Sequence, residues 1–473
     1  MNKPFYITSA IPYVNARPHL GHLVEWVQAD TIARWHQLLG EEVAFTCGTD
    51  ENSLKNVQAA QKESKKIQPF LDEYAEIFQQ AFRDFNISIT HFGRGSDAEK
   101  HWPGVQALWE RCNQSGDIYT KEYEGLYCVG CEAYYTKDEL TEDGFCPEHL
   151  KPLESIRESN YFFKLSRYEG EIKRLIESDE LSVIGPQYKA EMLGFINQGL
   201  EDFSISRTTQ RSRGVGVPVP GDPSQVMYVW FDALNIYTTA IGLGYDQAEF
   251  EKYWPANVHW IGKGITRFHA VYWIGMLLSA HLPLPKTIGV HGYITVDGQK
   301  MSKSLGNVLD PYALVKEYGL EPIRYYLLRA IPTHGDGDFS KQRFIDVYTS
   351  ELANGLGNVS SRITKLASSV DMPQRGEITL DEVFNSAMQS YALDEALEMI
   401  VSWEQGLDKW LTEIKPWTLQ GEAKTQAVFQ AVEKLRQIAH ALQPFMPATA
   451  STLLIHLNAQ IISPLTPMFP RIS

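Results

Sequence analysis

Cysteine is scarce. Five thiols in 473 residues cannot staple a chain of this length, which excludes the disulfide-built secreted class. Positive charge is short as well, with 43 Lys and Arg against 58 Asp and Glu and a formal charge of −15. A protein that coats polyanions through a general basic surface is thereby excluded, and any nucleic-acid contact has to use a local positive face. No apolar run approaches the ~20 residues that span a bilayer; the longest apolar-rich stretch lies around Val271 to Leu278. The opening Met-Asn-Lys-Pro-Phe-Tyr lacks the extended apolar core of a signal peptide, so no membrane partner and a cytosolic location are expected. Internal repeats and low-complexity tracts are missing too. What is there is an ordinary composition, 44% hydrophobic and 21% charged, in a chain long enough for about three domains.

The run KPFYITSAI (3–11) reads as a buried strand, broken by Pro12 and the turn-prone VNARP, with a helical pattern from Pro18 onward. Strand, turn, helix is how a parallel α/β sheet begins. A second strand, Val43 to Cys47, ends in Gly48-Thr49-Asp50, which puts polar residues at a strand carboxyl end, where open α/β sheets take their ligands. Over 116–215 the apolar periodicity thins, and Tyr119, Tyr123, Tyr127, Tyr134 and Tyr135 crowd around three cysteines. That span reads as an inserted module. Strand and helix patterns resume in VMYVWFDAL, VHWIGKG and TIGVHGYITV, which complete the first sheet. Further on, apolar residues recur at three and four, as in Leu393, Leu397, Ile400, Trp403, Leu407, Trp410, Ile414 and again in Val428, Val432, Leu435, Ile438, Leu442. Two amphipathic helices with stripes to bury predict a helical bundle. The expected architecture is α/β: a parallel sheet split between 1–115 and 216–345, an insert at 116–215, then an all-α helical bundle domain at 346–473.

Three constellations carry chemistry. Pro18-His19-Leu20-Gly21-His22 stands at a helix start after a strand. Proline suits a first helical turn, glycine admits close ligand approach, and free N–H groups there favour anions. Lys300-Met301-Ser302-Lys303-Ser304 follows the strand GYITV and the turn pair Asp297-Gly298, offering mobile positive charge to phosphates whose charge grows as a bond breaks. Taken singly, two capping histidines and a solvated basic loop account for these patterns. With one at each end of a split sheet, they point together to a nucleotide. Within the insert, Cys128-x-x-Cys131 and, fourteen residues later, Cys146-x-x-His149 have the spacing of a closed, tetrahedral structural Zn²⁺ site. Cys47 and Cys112 are left over as small buried side chains.

With HLGH and KMSKS in place, the sequence resembles the class I aminoacyl-tRNA synthetases. The zinc knuckle, AIPYVNARPHLGH, YVWFDALNIY and RFHAVYW are similar to segments of the methionyl-tRNA synthetases. The resemblance covers nearly the whole chain and implies a Rossmann-like split sheet, activation of L-methionine by ATP with Mg²⁺, and esterification of the terminal adenosine of tRNA(Met). It implies that His19 and His22 stabilise charge at the α-phosphate, that Lys300 and Lys303 hold the departing pyrophosphate, and that Gly21 and Ser302 join them in binding ATP. For methionine it implies a pocket of Ile11, Tyr13, Trp230, Ala233, Tyr237, Phe268, His269 and Trp273, with Asp50 receiving the ammonium group. Shape and sulfur–aromatic contact suit a thioether that hydrogen-bonds poorly. Asn358, Arg362 and Trp417 match the positions that read the CAU anticodon, an unpaired target suited to edge readout and stacking.

The sequence departs from the family at three places. Asp50-Glu51 is followed by Asn52-Ser53 where His-Gly is usual, Gly264 stands where Gly-Lys-Asp has its carboxylate, and Val215 replaces an aromatic. Two alternatives therefore stand beside an active ligase: a non-catalytic tRNA-binding paralogue, and a nucleotidyltransferase sharing only the His-x-Gly-His device. The chain stops soon after the bundle, without the appended module that makes some relatives dimeric, so a monomer is expected.

Overall fold

The computed structural model describes residues 3–128, 133–135, 137–148, 150–300 and 309–472. Contacts divide the chain into two units, residues 1–18 with 42–290 and residues 19–41 with 291–473.

The first unit is built on a six-stranded sheet. Its strands are β1 (Phe5–Ser9), β2 (Val43–Thr49), β3 (His91–Arg94), β4 (Ser182–Ile184), β5 (Val258–Gly262) and β6 (Thr287–His291), in the order β3-β2-β1-β5-β6-β4. The pairings β3–β2, β2–β1, β1–β5 and β6–β4 are parallel. β1 is buried along its whole length, as expected of a central strand covered on both faces. The segments VHWIGKG and TIGVHGYITV complete this sheet as expected, but the second is divided, with Ile294–Val296 joining a separate three-stranded sheet. In VMYVWFDAL only Val226 and Met227 are strand, and Val229–Ala233 is a short helix. β4 comes from within the span read as an insert and pairs with β6, Val183 opposite Ile288. The rest of that span holds a long antiparallel pair, Ile118–Cys128 against Glu154–Phe163.

Two glycines bring a helix onto the sheet. A Cβ on Gly48 would lie 2.3 Å from the Gly93 carbonyl oxygen, and one on Gly93 would lie 2.5 Å from Ile236 Cγ2. Neither position has room for a side chain. The helix Ile236–Thr239, which carries Tyr237, can therefore seat directly against β2 and β3.

The second unit is mainly helical. Its elements include α1 (Leu20–Leu38), α2 (Leu320–Arg329), α3 (Gly357–Ala367), α4 (Leu393–Ile414), α5 (Gly421–Leu442) and α6 (Pro447–Asn458). α1 starts two residues later than the pattern suggested, because His19 takes the cap position and leaves Pro18 outside the helix. The helix is buried nearly all round, including Glu25, Gln28, Asp30 and Thr31. Those polar groups are paired: Glu25 Oε2 with His291 Nε2 at 2.9 Å, and Asp30 Oδ2 with Arg324 Nη1 at 2.6 Å and Arg34 Nε at 2.7 Å. The apolar stripe of α5 is buried as patterned, whereas that of α4 closes on Leu411 and leaves Ile414 41% exposed. No helix among the described residues is long and apolar enough to cross a membrane.

One buried carboxyl makes this unit sensitive to pH. Glu404 on α4 is pushed up to about 7, first by burial and then by the negative charges of Asp408 and Glu351. An acid whose pKa is raised by folding costs nothing while both states are protonated. The penalty grows as pH rises from about 4.5 through 7 and is complete above that. Allowing for partial screening, Glu404→Gln should stabilise this unit by about 2 kcal/mol at pH 8 and by little at pH 5, read from denaturant melts. Equal gains at both pH values would show that the carboxyl is not the cause.

Candidate active site

In the sheet order, β1 lies between β2 and β5, strands from distant parts of the chain. This is the switch point where connections leave in opposite directions and a crevice opens at the carboxyl ends. Ile11 and Tyr13 follow β1, Asp50 follows β2, and Phe268 and His269 follow β5. Tyr13 and Asp50 form a parallel bridge, with the Asp50 N–H donating to the Pro12 carbonyl at 2.9 Å. Asp50 is buried, and Lys55 Nζ lies 4.2 Å from the centre of the Tyr13 ring. Ile11 packs against the main core.

The other wall is aromatic. Trp230 and Phe268 stack at 3.9 Å with their planes 5° apart, and the His269 ring stands edge-on to Trp230 at 6.5 Å. Ala233, Tyr237, His269 and Trp273 are buried. Among the described residues the buried Trp230 Nε1 has no hydrogen-bond partner. Beneath the aromatics, hydrogen bonds fix the ring orientations. His269 Nδ1–H donates to the Ile265 carbonyl at 3.0 Å, so Nε2 accepts from the Tyr237 hydroxyl at 2.8 Å. Trp273 Nε1–H donates to His259 Nε2 at 3.3 Å, which leaves the proton of His259 on Nδ1, 2.7 Å from Thr8 Oγ1. Burial lowers His269 to about 4, and burial with the neighbouring His269 holds His259 well below the usual imidazole range. Both are neutral at pH 7. These aromatic groups are thus uncharged and largely apolar, chemistry suited to an amino acid with a flexible apolar side chain.

His259 was not singled out from the sequence. The available signal was a histidine in the middle of the apolar strand VHWIG, a position where an imidazole has to be fully hydrogen-bonded. Asn52, half-buried, donates to Asp232 Oδ2 at 2.6 Å, and Ser53 caps the following helix by accepting from the Lys55 N–H at 3.1 Å. The Asn52-Ser53 departure is therefore accommodated locally. Gly264 lies exposed in the turn after β5.

In the second unit, His19 and His22 sit together at the start of α1. The Gly21 N–H donates to His19 Nδ1 at 3.1 Å, and the His19 N–H donates to His22 Nδ1 at 3.1 Å. Their rings stack at 3.8 Å, and His22 stacks in turn on Trp26 at 5.7 Å. Desolvation, with the adjoining His19, holds His22 well below the usual pKa. Since each Nδ1 accepts a backbone N–H, Nε2 carries a proton on each ring. The first turn of a helix, with two imidazoles fixed on it by backbone N–H groups, is a place that favours phosphate oxygens. Lys300 belongs to the same unit, its backbone paired with Thr295 in the hairpin that leads out of β6. Ser302 and Lys303 lie outside the described residues.

On the surface of the bundle, Asn358 is exposed one turn before Arg362 on α3. The Arg362 guanidinium lies 5.7 Å from the Trp417 ring and is ion-paired with Asp408, and Trp417 is 49% exposed. The structure thus brings Arg362 and Trp417 together on an open face. In the insert, Cys128 and Cys146 are buried in a small cluster with Tyr135, flanked by Leu140 and Leu153. Cys131 and His149 lie outside the described residues, and among the described ones no group of three potential ligands is assembled.

A model of the tRNA synthetases class I (M) matches residues 5–155 and 150–364. The methionine–tRNA ligase of Thermotoga maritima is 39% identical over 469 residues, covering 94% of this chain and 74% of that one. The methionine–tRNA ligase of Rhizobium meliloti is 40% identical over 475 residues, covering 95% and 91%. Among solved structures, Mycobacterium tuberculosis methionyl-tRNA synthetase in complex with methionyl-adenylate superimposes with a TM-score of 0.93 at 35% identity, covering 99% of this chain and all of the other.

Proposed function

The chain belongs to the methionyl-tRNA synthetases of class I, and from that membership we propose how its own residues perform methionine–tRNA ligation. The enzyme joins L-methionine to AMP at the expense of ATP, releasing pyrophosphate, and then transfers the methionyl group to tRNA. Methionine lies with its ammonium group toward Asp50 and its thioether among Tyr13, Trp230, Ala233, Tyr237, Phe268, His269 and Trp273, with Ile11 at the rim. The carboxylate oxygen attacks the α-phosphorus in line. A P–O bond forms as the bond to the β-phosphate breaks, and the electron pair leaves with pyrophosphate. His19 and His22 donate through Nε2 to the α-phosphate oxygens, Gly21 lets the backbone approach, and Lys300, Ser302 and Lys303 take the leaving group. Mg²⁺ accompanying ATP would share that negative charge.

The observation that carries this reading is the imidazole pair at the first turn of α1, each Nδ1 fixed by a backbone N–H and the two rings stacked. Arg362 and Trp417 support a tRNA face on the bundle, with Asn358 beside them, for stacking and edge contacts with the CAU anticodon. Cys128 and Cys146, two buried thiols in a knuckle with almost no core of its own, fit a structural Zn²⁺ completed by Cys131 and His149. Because charged tRNA is consumed where translation occurs, we read the chain as cytosolic.

Exchange of labelled pyrophosphate into ATP, measured with a panel of amino acids, tests the activation step. Methionine alone should support it strongly, and no exchange at saturating methionine would defeat the reading. In the same preparation Trp417→Ala should lower the kcat/KM of tRNA charging by about tenfold or more, the worth of one stacked base, while exchange is unchanged. Unchanged charging would remove Trp417 from the tRNA face.

A further inference from the structure

The two halves of the amino-acid pocket stand on different parts of the chain. Asp50 lies in the loop after β2, and Trp230 and Ala233 lie on the helix Val229–Ala233. One buried carboxylate joins them. Asp232, 1% exposed, accepts from Asn52 Nδ2 at 2.6 Å through Oδ2 and from His101 Nε2 at 2.5 Å through Oδ1. Asn52 Nδ2 also donates to the Gly95 carbonyl at 2.7 Å, where Trp102 Nε1 arrives at 3.1 Å. His101 Nδ1 lies 2.7 Å from Thr239 Oγ1. A chain of polar contacts thus runs from the ammonium loop through Asn52 and Asp232 to His101 and Thr239.

Burying a carboxylate is costly, and an apolar side chain at 232 would pack against this core at lower cost. What the carboxylate adds is direction. It fixes two donors from separate segments at hydrogen-bond length, and it stands on the same short helix as Trp230 and Ala233. We infer that Asp232 is a positioning residue for methionine, setting with Asn52 and His101 the separation between the Asp50 loop and the Trp230–Phe268 wall, and hence the length of side chain accepted. This rests on the methionine-activating reading above. None of the three residues needs to touch the substrate for it to hold.

The test is steady-state exchange with the parent enzyme, Asp232→Ala and Asp232→Asn, using methionine and ethionine, whose side chain is one methylene longer. Exchange by the parent is the control for the functional reading itself, since its absence would fail that reading before any variant is compared. Asp232→Ala should raise the KM for methionine by about tenfold or more, the loss expected from orphaned hydrogen-bond partners, with the KM for ATP unchanged. The preference for methionine over ethionine should shrink in parallel. Asp232→Asn should recover most of this, because the amide oxygen still takes the Asn52 donor and its NH₂ can serve a ring whose proton has moved to Nδ1. Should Asp232→Ala fold poorly, Asn52→Ala removes the other end of the same bond and should show the same KM split. The inference is overturned if the KM values for methionine and ATP rise together, if neither moves, or if the ethionine discrimination is unchanged.

Discussion

Replacing His22 with alanine should lower methionine-dependent pyrophosphate exchange by two to three orders of magnitude, roughly the worth of one preorganised donor at a developing oxyanion. The argument runs from the ring's environment. His22 Nδ1 is occupied by the His19 N–H at 3.1 Å, and the ring is wedged between His19 and Trp26. Its rotamer and tautomer are therefore set before substrate arrives. Because its pKa is held well below the usual value by desolvation and by His19, the ring is neutral throughout the working range. The deficit should then be constant from about pH 6 to 9, whereas a catalytic imidazolium would make it disappear at high pH. Alanine also removes the acceptor for the His19 N–H, a capping loss of about 1 kcal/mol. His22→Asn, which keeps an acceptor and a donor, should melt like the parent and recover part of the rate. A His22→Ala enzyme within tenfold of the parent would mean that the stacked pair serves only to start the helix.

How much of this was legible in the sequence depended on how local the signal was. HLGH after a strand, the strands VHWIG and TIGVH, and the stripe of α5 are all patterns within a few turns of chain, and each folds as read. The start of α1 was misplaced because a histidine caps it, a role that side-chain oxygens usually fill and that composition does not announce. The β4 strand was missed because three residues, Ser182–Ile184, give no periodicity, and only β6 gives them a partner. In VMYVWFDAL the mixed strand and helix pattern does not place the change-over, because Val229, Trp230 and Phe231 favour strands by composition yet fold as the start of a helix. The Asn52–Asp232 contact joins residues 180 positions apart. No window along the sequence contains both, so a departure from the family motif is one end of a half-buried hydrogen bond. The helix α1 is itself an example: it follows β1 directly in sequence, yet its contacts assign it to the unit formed by residues 291–473.

Within that unit a buried arginine ties α1 to other elements. Arg324→Ala should destabilise it by about 3–5 kcal/mol, the range for breaking a buried ionic cluster from one side. Arg324, 1% exposed on α2, reaches Asp30 on α1 at 2.6 Å through Nη1, the Phe445 carbonyl at 2.7 Å through Nε, and the Pro444 carbonyl at 2.9 Å and Thr31 Oγ1 at 3.2 Å through Nη2. Asp30 keeps Arg34 when Arg324 is lost, so the carboxylate is not wholly abandoned. The two carbonyls ahead of α6 lose this donor inside the core, and a cavity replaces the guanidinium. Lysine offers one ammonium in place of a planar fork and cannot reach all four acceptors, so Arg324→Lys should recover less than half of the loss. Methionine fills the volume without a charge and should fall between alanine and the parent. The consequence extends to catalysis, because Asp30 lies on the helix whose first turn carries His19 and His22. Below its melting transition, Arg324→Met should therefore show a lower kcat in exchange while its KM for methionine stays at the parent value. A double-mutant cycle with Asp30→Asn measures the link directly: a coupling of about 1–3 kcal/mol is expected for contacting partners. Additive effects of the two substitutions would show that Arg324 serves the carbonyls alone and that α1 is held in place without it.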